Sequence, residues 1–172
     1  MHDSHTHAAF PLPGHDHAHC VTGLVARAAA AFDRCGLRLT PLRQRVLEEV
    51  AGVHCPIGAY DIVERLTAKG RRVAPISIYR ALDALQEAGL IHRLESRNAF
   101  FACHTAHEPR HRQLVLVCEV CGAVAEVAGE AAFASIDRAA LASRFEPRAT
   151  LVEVMGRCGH CASSAEGGAG HG

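Results

Sequence analysis

Cys118 and Cys121 stand two residues apart, and so do Cys158 and Cys161. A Cys-x-x-Cys spacing lets both sulfurs turn toward one point. Two such pairs supply four thiolates, the tetrahedral set that Zn²⁺ takes in closed structural sites. The second pair closes a long loop from Cys121 to Cys158, so an ion held there staples a small domain rather than one turn. A thiol–disulfide redox motif uses a single Cys-x-x-Cys at a helix start. Disulfides need an oxidising compartment, and nothing in the chain points to one. A closed site of this kind has no vacant position for catalysis. Its work is to fold a domain whose core is small.

A second concentration of donors follows Cys103: Cys103-His104-x-x-His107-x-x-x-His111. Nitrogen and sulfur donors in this mix suit Zn²⁺. Spacing leaves open which histidines would take part, and also the plainer reading of surface histidines in a loop. The chain also opens with His2, His5, His7, His15, His17 and His19, ending at Cys20. That stretch is either a solvated tail or a loose metal binder. Cys20, Cys35 and Cys55 lack partner spacing and read as free thiols.

A third group of residues could read nucleic acid. Ser77, Tyr79 and Arg80 fall near the start of a predicted helix, where helix-turn-helix proteins touch bases and phosphates. Arginine can bridge guanine O6 and N7. Tyr79 has an equally good claim to the core, since it fits the apolar spacing. Arg43, Arg71, Arg72, Arg93 and Arg97 suit phosphate contacts or an ordinary solvated face.

These residues need elements to hold them. Leu24, Val25, Ala28, Ala29 and Phe32 repeat with helical period over 24–35. Thr40-Pro41 is an N-cap followed by proline at the first helical position, opening a helix through Leu42, Val46, Leu47 and Val50. Tyr60, Ile62, Val63 and Leu66 mark a third helix, stopped by Gly70. Ile76, Tyr79, Leu82, Ala84 and Leu85 mark a fourth, stopped by Gly89. Two extended runs, Leu90–Leu94 and Ala99–Cys103, flank Glu95-Ser96-Arg97-Asn98 as a hairpin. Short helices followed by a hairpin give the order of a winged helix-turn-helix domain. Beyond it, Gln113–Cys118 and Ala123–Val127 read as strands joined by a turn at Cys121-Gly122. Glu130–Arg144 reads as a helix with Phe133, Ile136, Ala140 and Leu141 on one face, and Arg148–Met155 as a third strand. A sheet this small, with a free edge, suits pairing with a second copy.

Composition bounds the rest. The 172 residues carry 18 basic and 18 acidic side chains and no Trp. Charge is unevenly spread: residues 37–97 hold ten Lys/Arg against seven Asp/Glu, a basic excess in the predicted reading domain. No apolar run approaches a membrane span, and the start lacks an apolar signal core, so a cytoplasmic protein is expected. The expected organisation is α+β. A His-rich disordered tail (1–23) precedes a winged-helix domain (24–103) and a hinge (104–112). A small α/β dimerisation domain with structural zinc (113–162) and a disordered tail (163–172) complete it.

Several motifs occur in register with one family. Leu39-Thr40-Pro41-x-Arg43, Ser77-Ile78-Tyr79-Arg80-Ala81-Leu82, Cys118-x-x-Cys121-Gly122 and Cys158-x-x-Cys161 resemble the ferric-uptake-regulator family from about residue 24 to residue 161. Ala59-Tyr60-Asp61, His92-Arg93-Leu94-Glu95-Ser96 and Cys103-His104 resemble its zinc-uptake branch. The resemblance implies a dimeric, zinc-responsive repressor acting on operator DNA of metal-uptake genes, with two Zn²⁺ per subunit. It puts the structural ion on Cys118, Cys121, Cys158 and Cys161. It puts the sensing ion on His92, Cys103, His111 and Glu126, and DNA contacts on Arg43, Ser77, Tyr79 and Arg80. Iron-sensing relatives carry adjacent histidines before the first Cys-x-x-Cys, where this chain has Arg112-Gln113-Leu114-Val115-Leu116-Val117, a departure that favours zinc. The rival readings are an iron or peroxide sensor on the same scaffold and, in another class, a zinc buffer or chaperone using the His-rich start. A zinc enzyme would need an open metal position and an extra general base, which the sequence does not offer.

Overall fold

The computed structural model describes Phe10 and residues 17–70, 72–103 and 112–166. It divides into two compact units, with the boundary between Pro109 and Arg110.

The first unit is built from four helices and a small sheet. Helix α1 (His17–Arg34) buries Leu24, Ala28, Ala31 and Phe32, the period of one helical face. It begins at His17, inside the stretch expected to be a structureless tail, because helical backbone needs no apolar pattern once a neighbouring turn is anchored. Helix α2 (Pro41–Ala51) starts as predicted: the Thr40 hydroxyl accepts the Arg43 backbone N–H at 3.3 Å. Helix α3 (Ala59–Ala68) is capped by Asp61, whose carboxylate accepts the Gly58 N–H at 3.2 Å. Helix α4 (Pro75–Glu87) carries proline at its first position, where a missing N–H costs nothing. Gly89, at φ +68, lets the chain leave it.

Phe32, Leu47, Ile62, Ile78, Leu82 and Leu85 are fully buried and form the centre of this unit. Strands β2 (Ile91–Leu94) and β3 (Ala99–Ala102) form the predicted hairpin, with Ile91 opposite Ala102 and Leu94 opposite Ala99. Asn98 closes its turn at φ +47, a conformation asparagine tolerates, and its side chain accepts from Arg93 at 2.8 Å. A two-residue strand the sequence did not signal, β1 (Ile57–Gly58), adds to β3 and completes a sheet of order β1-β3-β2. The result is a winged helix-turn-helix: α3, a short turn, α4 as the reading helix, then the hairpin wing.

The second unit holds β4 (Arg112–Cys118), β5 (Val124–Glu126), α5 (Glu130–Ala142), β6 (Thr150–Gly156) and α6 (Gly159–Glu166). Helix α6 occupies part of the stretch expected to be a disordered tail; it starts directly after Cys158, whose carbonyl accepts the Ala162 N–H at 3.0 Å. Strand β4 is central, antiparallel to β5 and parallel to β6. The parallel pairing requires a crossover, which α5 provides. Gly129 sits where the chain enters α5. A Cβ there would lie 2.9 Å from the Leu114 side chain and 3.0 Å from Phe133. Arg112 fastens α5 to the sheet through two bonds to the Asp137 carboxylate, 2.8 and 2.9 Å. The predicted face of α5 is not a buried one: Leu141 is 79% exposed and no residue of the helix is buried. Leu141 and Phe145, and Leu151, Val154 and Met155 of the edge strand β6, all stand in solvent.

Candidate metal centres and nucleic-acid interface

The β4–β6 register brings the two Cys-x-x-Cys pairs together. Cys118 lies opposite Gly156 at the end of both strands. Parallel strands end at the same edge, so the motif following β4 and the motif following β6 emerge side by side. Gly122, at φ +76, turns the first motif back, and its N–H bonds to the Cys118 carbonyl at 2.9 Å. The Glu119 N–H bonds to the Gly156 carbonyl at 2.8 Å and ties the two turns to each other. The four sulfurs lie within 4.8 Å of one another. None of the four is in a disulfide, and the Cys121–Cys158 sulfur separation is 3.8 Å. Four sulfurs placed tetrahedrally around Zn²⁺ at about 2.3 Å are about 3.8 Å apart. Donor chemistry, number and spacing therefore fit that ion.

The thiols are not equivalent. The Cys118 sulfur accepts backbone N–H groups, first of Cys121 and then of Cys158, the latter at 3.4 Å, which lowers its pKa to about 6. Burial, followed by the neighbouring cysteines, pushes the Cys161 thiol up to about 12. The metal-free surroundings thus favour a thiolate at Cys118 and oppose one at Cys161. A divalent cation offsets that opposition.

In the first unit His92 and Cys103 form a second donor pair. His92 pairs across the hairpin with Phe101, their rings 5.6 Å apart. Cys103 is two residues beyond Phe101, so it projects to the same face, diagonal to His92. Its sulfur and a His92 ring nitrogen lie within 4.8 Å. Cys103 is buried and its backbone is held at both ends: its N–H donates to Leu90 at 3.0 Å, and its carbonyl accepts the Arg27 guanidinium of α1. Glu126 ends β5, half-buried and opposite Val115. His111 lies outside the described residues, as do His104, His107 and the expected hinge through residue 111.

On the reading helix, Ser77 and Tyr79 are half-buried and Arg80 is exposed. Tyr79 packs against the core cluster. Arg43 lies on α2, its guanidinium 5.4 Å over the Phe32 ring and bonded to the Arg38 carbonyl. Two aromatic or aliphatic residues that the periodicity assigned to helix cores are instead exposed: Tyr60 by 71% and Ile76 by 59%. The buried face of α3 is Ala59, Ile62 and Leu66, and that of α4 is centred on Ile78, Leu82 and Leu85; Tyr60 and Ile76 fall outside those arcs.

Fold and side chains together define a class: a winged-helix reader joined to an α/β unit with four convergent thiols. Residues 34–155 match the ferric uptake regulator family. The zinc uptake regulation protein of Escherichia coli (strain K12) is 33% identical over 138 residues, covering 80% of this chain and 81% of that protein. A zinc uptake regulator solved in complex with zinc and DNA superposes with a TM-score of 0.79 at 32% identity, over 85% of this chain and 97% of its own. Holo XcZur gives 0.75 at 35% identity, over 82% and 98%. The chain belongs to the ferric uptake regulator family.

Proposed function

We propose that this chain is a zinc-responsive, dimeric transcriptional repressor that binds operator DNA of zinc-uptake genes when loaded with Zn²⁺. The observation that carries this reading is its likeness, across most of its length, to a zinc uptake regulator solved with zinc and DNA. Its own four-thiol cluster at tetrahedral spacing adds to it.

Two ions per subunit are assigned. Cys118, Cys121, Cys158 and Cys161 hold a structural Zn²⁺ that fixes the ends of β4 and β6. His92, Cys103, His111 and Glu126 hold a regulatory Zn²⁺. When bound there, Zn²⁺ supplies a positive centre that four protein donors can share. The residues do the rest. Cys103 gives up its thiol proton and His92 presents a neutral nitrogen, so loading is pH-dependent. His92 and Cys103 belong to the wing, whereas Glu126 belongs to the second unit. Coordination across residues 104–111 therefore restricts how the reader is carried. The loaded conformation is selected from an ensemble. In a dimer it would set two α4 helices at the spacing of successive major grooves, about 34 Å.

The dimer forms through the second unit. Its edge strand β6 and the exposed apolar side chains Leu141, Phe145, Leu151, Val154 and Met155 support that assignment. Arg80, Ser77, Tyr79 and Arg43 are the assigned DNA contacts. Arg80 is best placed to reach a base. The protein acts by binding, not catalysis. No described helix is long and apolar enough to cross a membrane, and a cytoplasmic location follows from the proposed role. The test is a mobility-shift titration of promoter DNA of zinc-uptake genes, with zinc-loaded and chelated protein. Zinc-dependent retention is the expected outcome; equal retention, or none, would refute the reading.

A further inference from the structure

Ile76 is the one residue of the reading helix whose exposure has no packing reason. Single exposed aliphatics are ordinary on protein surfaces; position distinguishes this one. Ile78, Ala81, Leu82 and Leu85 take the buried face of α4. Ile76, 59% exposed, lies on the opposite side, immediately after Pro75. Arg80, also exposed, follows four residues later, so both project from one helix face, stacked a turn apart. The first turn of α4 contains no acidic side chain to repel phosphates. A β-branched residue is also a poorer helix former than the charged residues usual at solvent-facing positions.

We propose that Ile76 is a specificity-determining residue: its side chain contacts a thymine C5-methyl group in the major groove, within two base pairs of the base read by Arg80. The inference rests on the operator-binding reading above. Thymine is the base that offers an apolar group in that groove, and an aliphatic side chain recognises it without hydrogen bonds. The spacing follows from geometry. Four helical residues rise about 6 Å, and stacked base pairs rise about 3.4 Å. A helix entering the groove with Arg80 over one pair therefore sets Ile76 over the next pair or the one beyond.

The test uses full-length, zinc-loaded protein and a duplex it selects from a random pool. Each thymine of a half-site is replaced in turn by deoxyuridine, which pairs identically but lacks the methyl. Binding is followed by fluorescence anisotropy. The wild type is expected to lose about three- to fivefold in affinity at one or two positions, the effect of burying one methyl. Ile76→Ala should show that loss on the unmodified duplex and be indifferent to deoxyuridine there. Ile76→Val, which keeps a branched methyl pair, should retain part of the sensitivity. Arg80→Ala should lose guanine discrimination yet keep the deoxyuridine response. A wild type blind to deoxyuridine at every position would overturn the assignment, as would an Ile76→Ala variant as sensitive as wild type. In either case a wild type that still selects a sequence with zinc leaves the proposed function standing. A wild type that selects none removes both.

Discussion

The sulfur of Cys121 stands 3.8 Å from that of Cys158, the edge of a tetrahedron of thiolates drawn around Zn²⁺. The two residues belong to different Cys-x-x-Cys motifs and to turns that follow different strands. Their approach is a consequence of β4 and β6 running parallel in a register that sets Cys118 against Gly156.

Breaking that cluster should unfold the second unit. Structural Zn²⁺ contributes an apparent binding energy of about 10 kcal/mol or more to small domains. Cys121→Ser should destabilise the protein by at least about 3 kcal/mol, lowering the melting temperature by roughly 6–12 °C. Calorimetry with and without a strong chelator checks this. An unchanged melting curve would contradict a structural role.

The cluster should also give metal uptake a definite pH dependence. Cys118, lowered to about 6, is already a thiolate at neutral pH, whereas Cys161, raised to about 12, must shed its proton. Zn²⁺ binding therefore releases protons and weakens as pH falls, more steeply once Cys118 too must ionise below about 6. In the metal-free protein the two shifts act in different pH windows: the raised Cys161 withdraws stability as pH rises above 9.0, and Cys118 acts below it. Because the folded thiol is the stronger acid, Cys118 stabilises the fold fully above its ordinary value of 9.0 and loses that contribution as pH falls toward about 6. Thiolate absorbance and calorimetry in buffers of different ionisation enthalpy report both effects.

Cys103→Ser should separate sensing from folding. The Cys103 backbone bonds to Leu90 and Arg27 survive the change, so the variant should remain a folded dimer. Zinc-dependent operator binding should fall to the metal-free level. Repression equal to wild type would remove Cys103 from the regulatory set.

Leu151→Asp tests the pairing surface. Leu151 is 51% exposed on edge strand β6 and lines an open apolar groove with Ile136, Ala140 and Phe145. A carboxylate buried there would be unpaired. Sedimentation should show a monomer with an unchanged fold and weakened operator binding; an intact dimer would place the interface elsewhere.

Arg80→Ala should weaken operator binding by about 1–3 kcal/mol and relax preference at one base position. A selection experiment on random duplexes reads both, and an unchanged sequence preference would reassign Arg80.

The parts legible in the sequence are those fixed by local chemistry. Two Cys-x-x-Cys motifs announce a thiolate site whatever lies between them. Thr40-Pro41 marks the start of α2, and the alternation around Glu95-Ser96-Arg97-Asn98 gives the wing. What escaped depends on distant partners. Nothing near Cys158 states that β6 runs parallel to β4. The hairpin was visible, but its register was not, so the diagonal placement of His92 and Cys103 came only with the fold. Ile57–Gly58 is too short to show alternation. Ile76 and Tyr60 are apolar yet face solvent, because each falls outside the arc its helix buries, and apolar character alone does not delimit that arc. His17 opens α1 without apolar signal, since histidine neither favours nor forbids the helix strongly.

Operator affinity of one preparation, measured with Zn²⁺ bound and again with the ion proposed for the His92–Cys103 site removed while the ion proposed for the four-thiol cluster is retained, is the most direct test. Loaded protein should bind at least tenfold more tightly, within the range of about 5–150-fold expected of an allosteric coupling. Identical affinity in the two states would contradict zinc control of DNA binding.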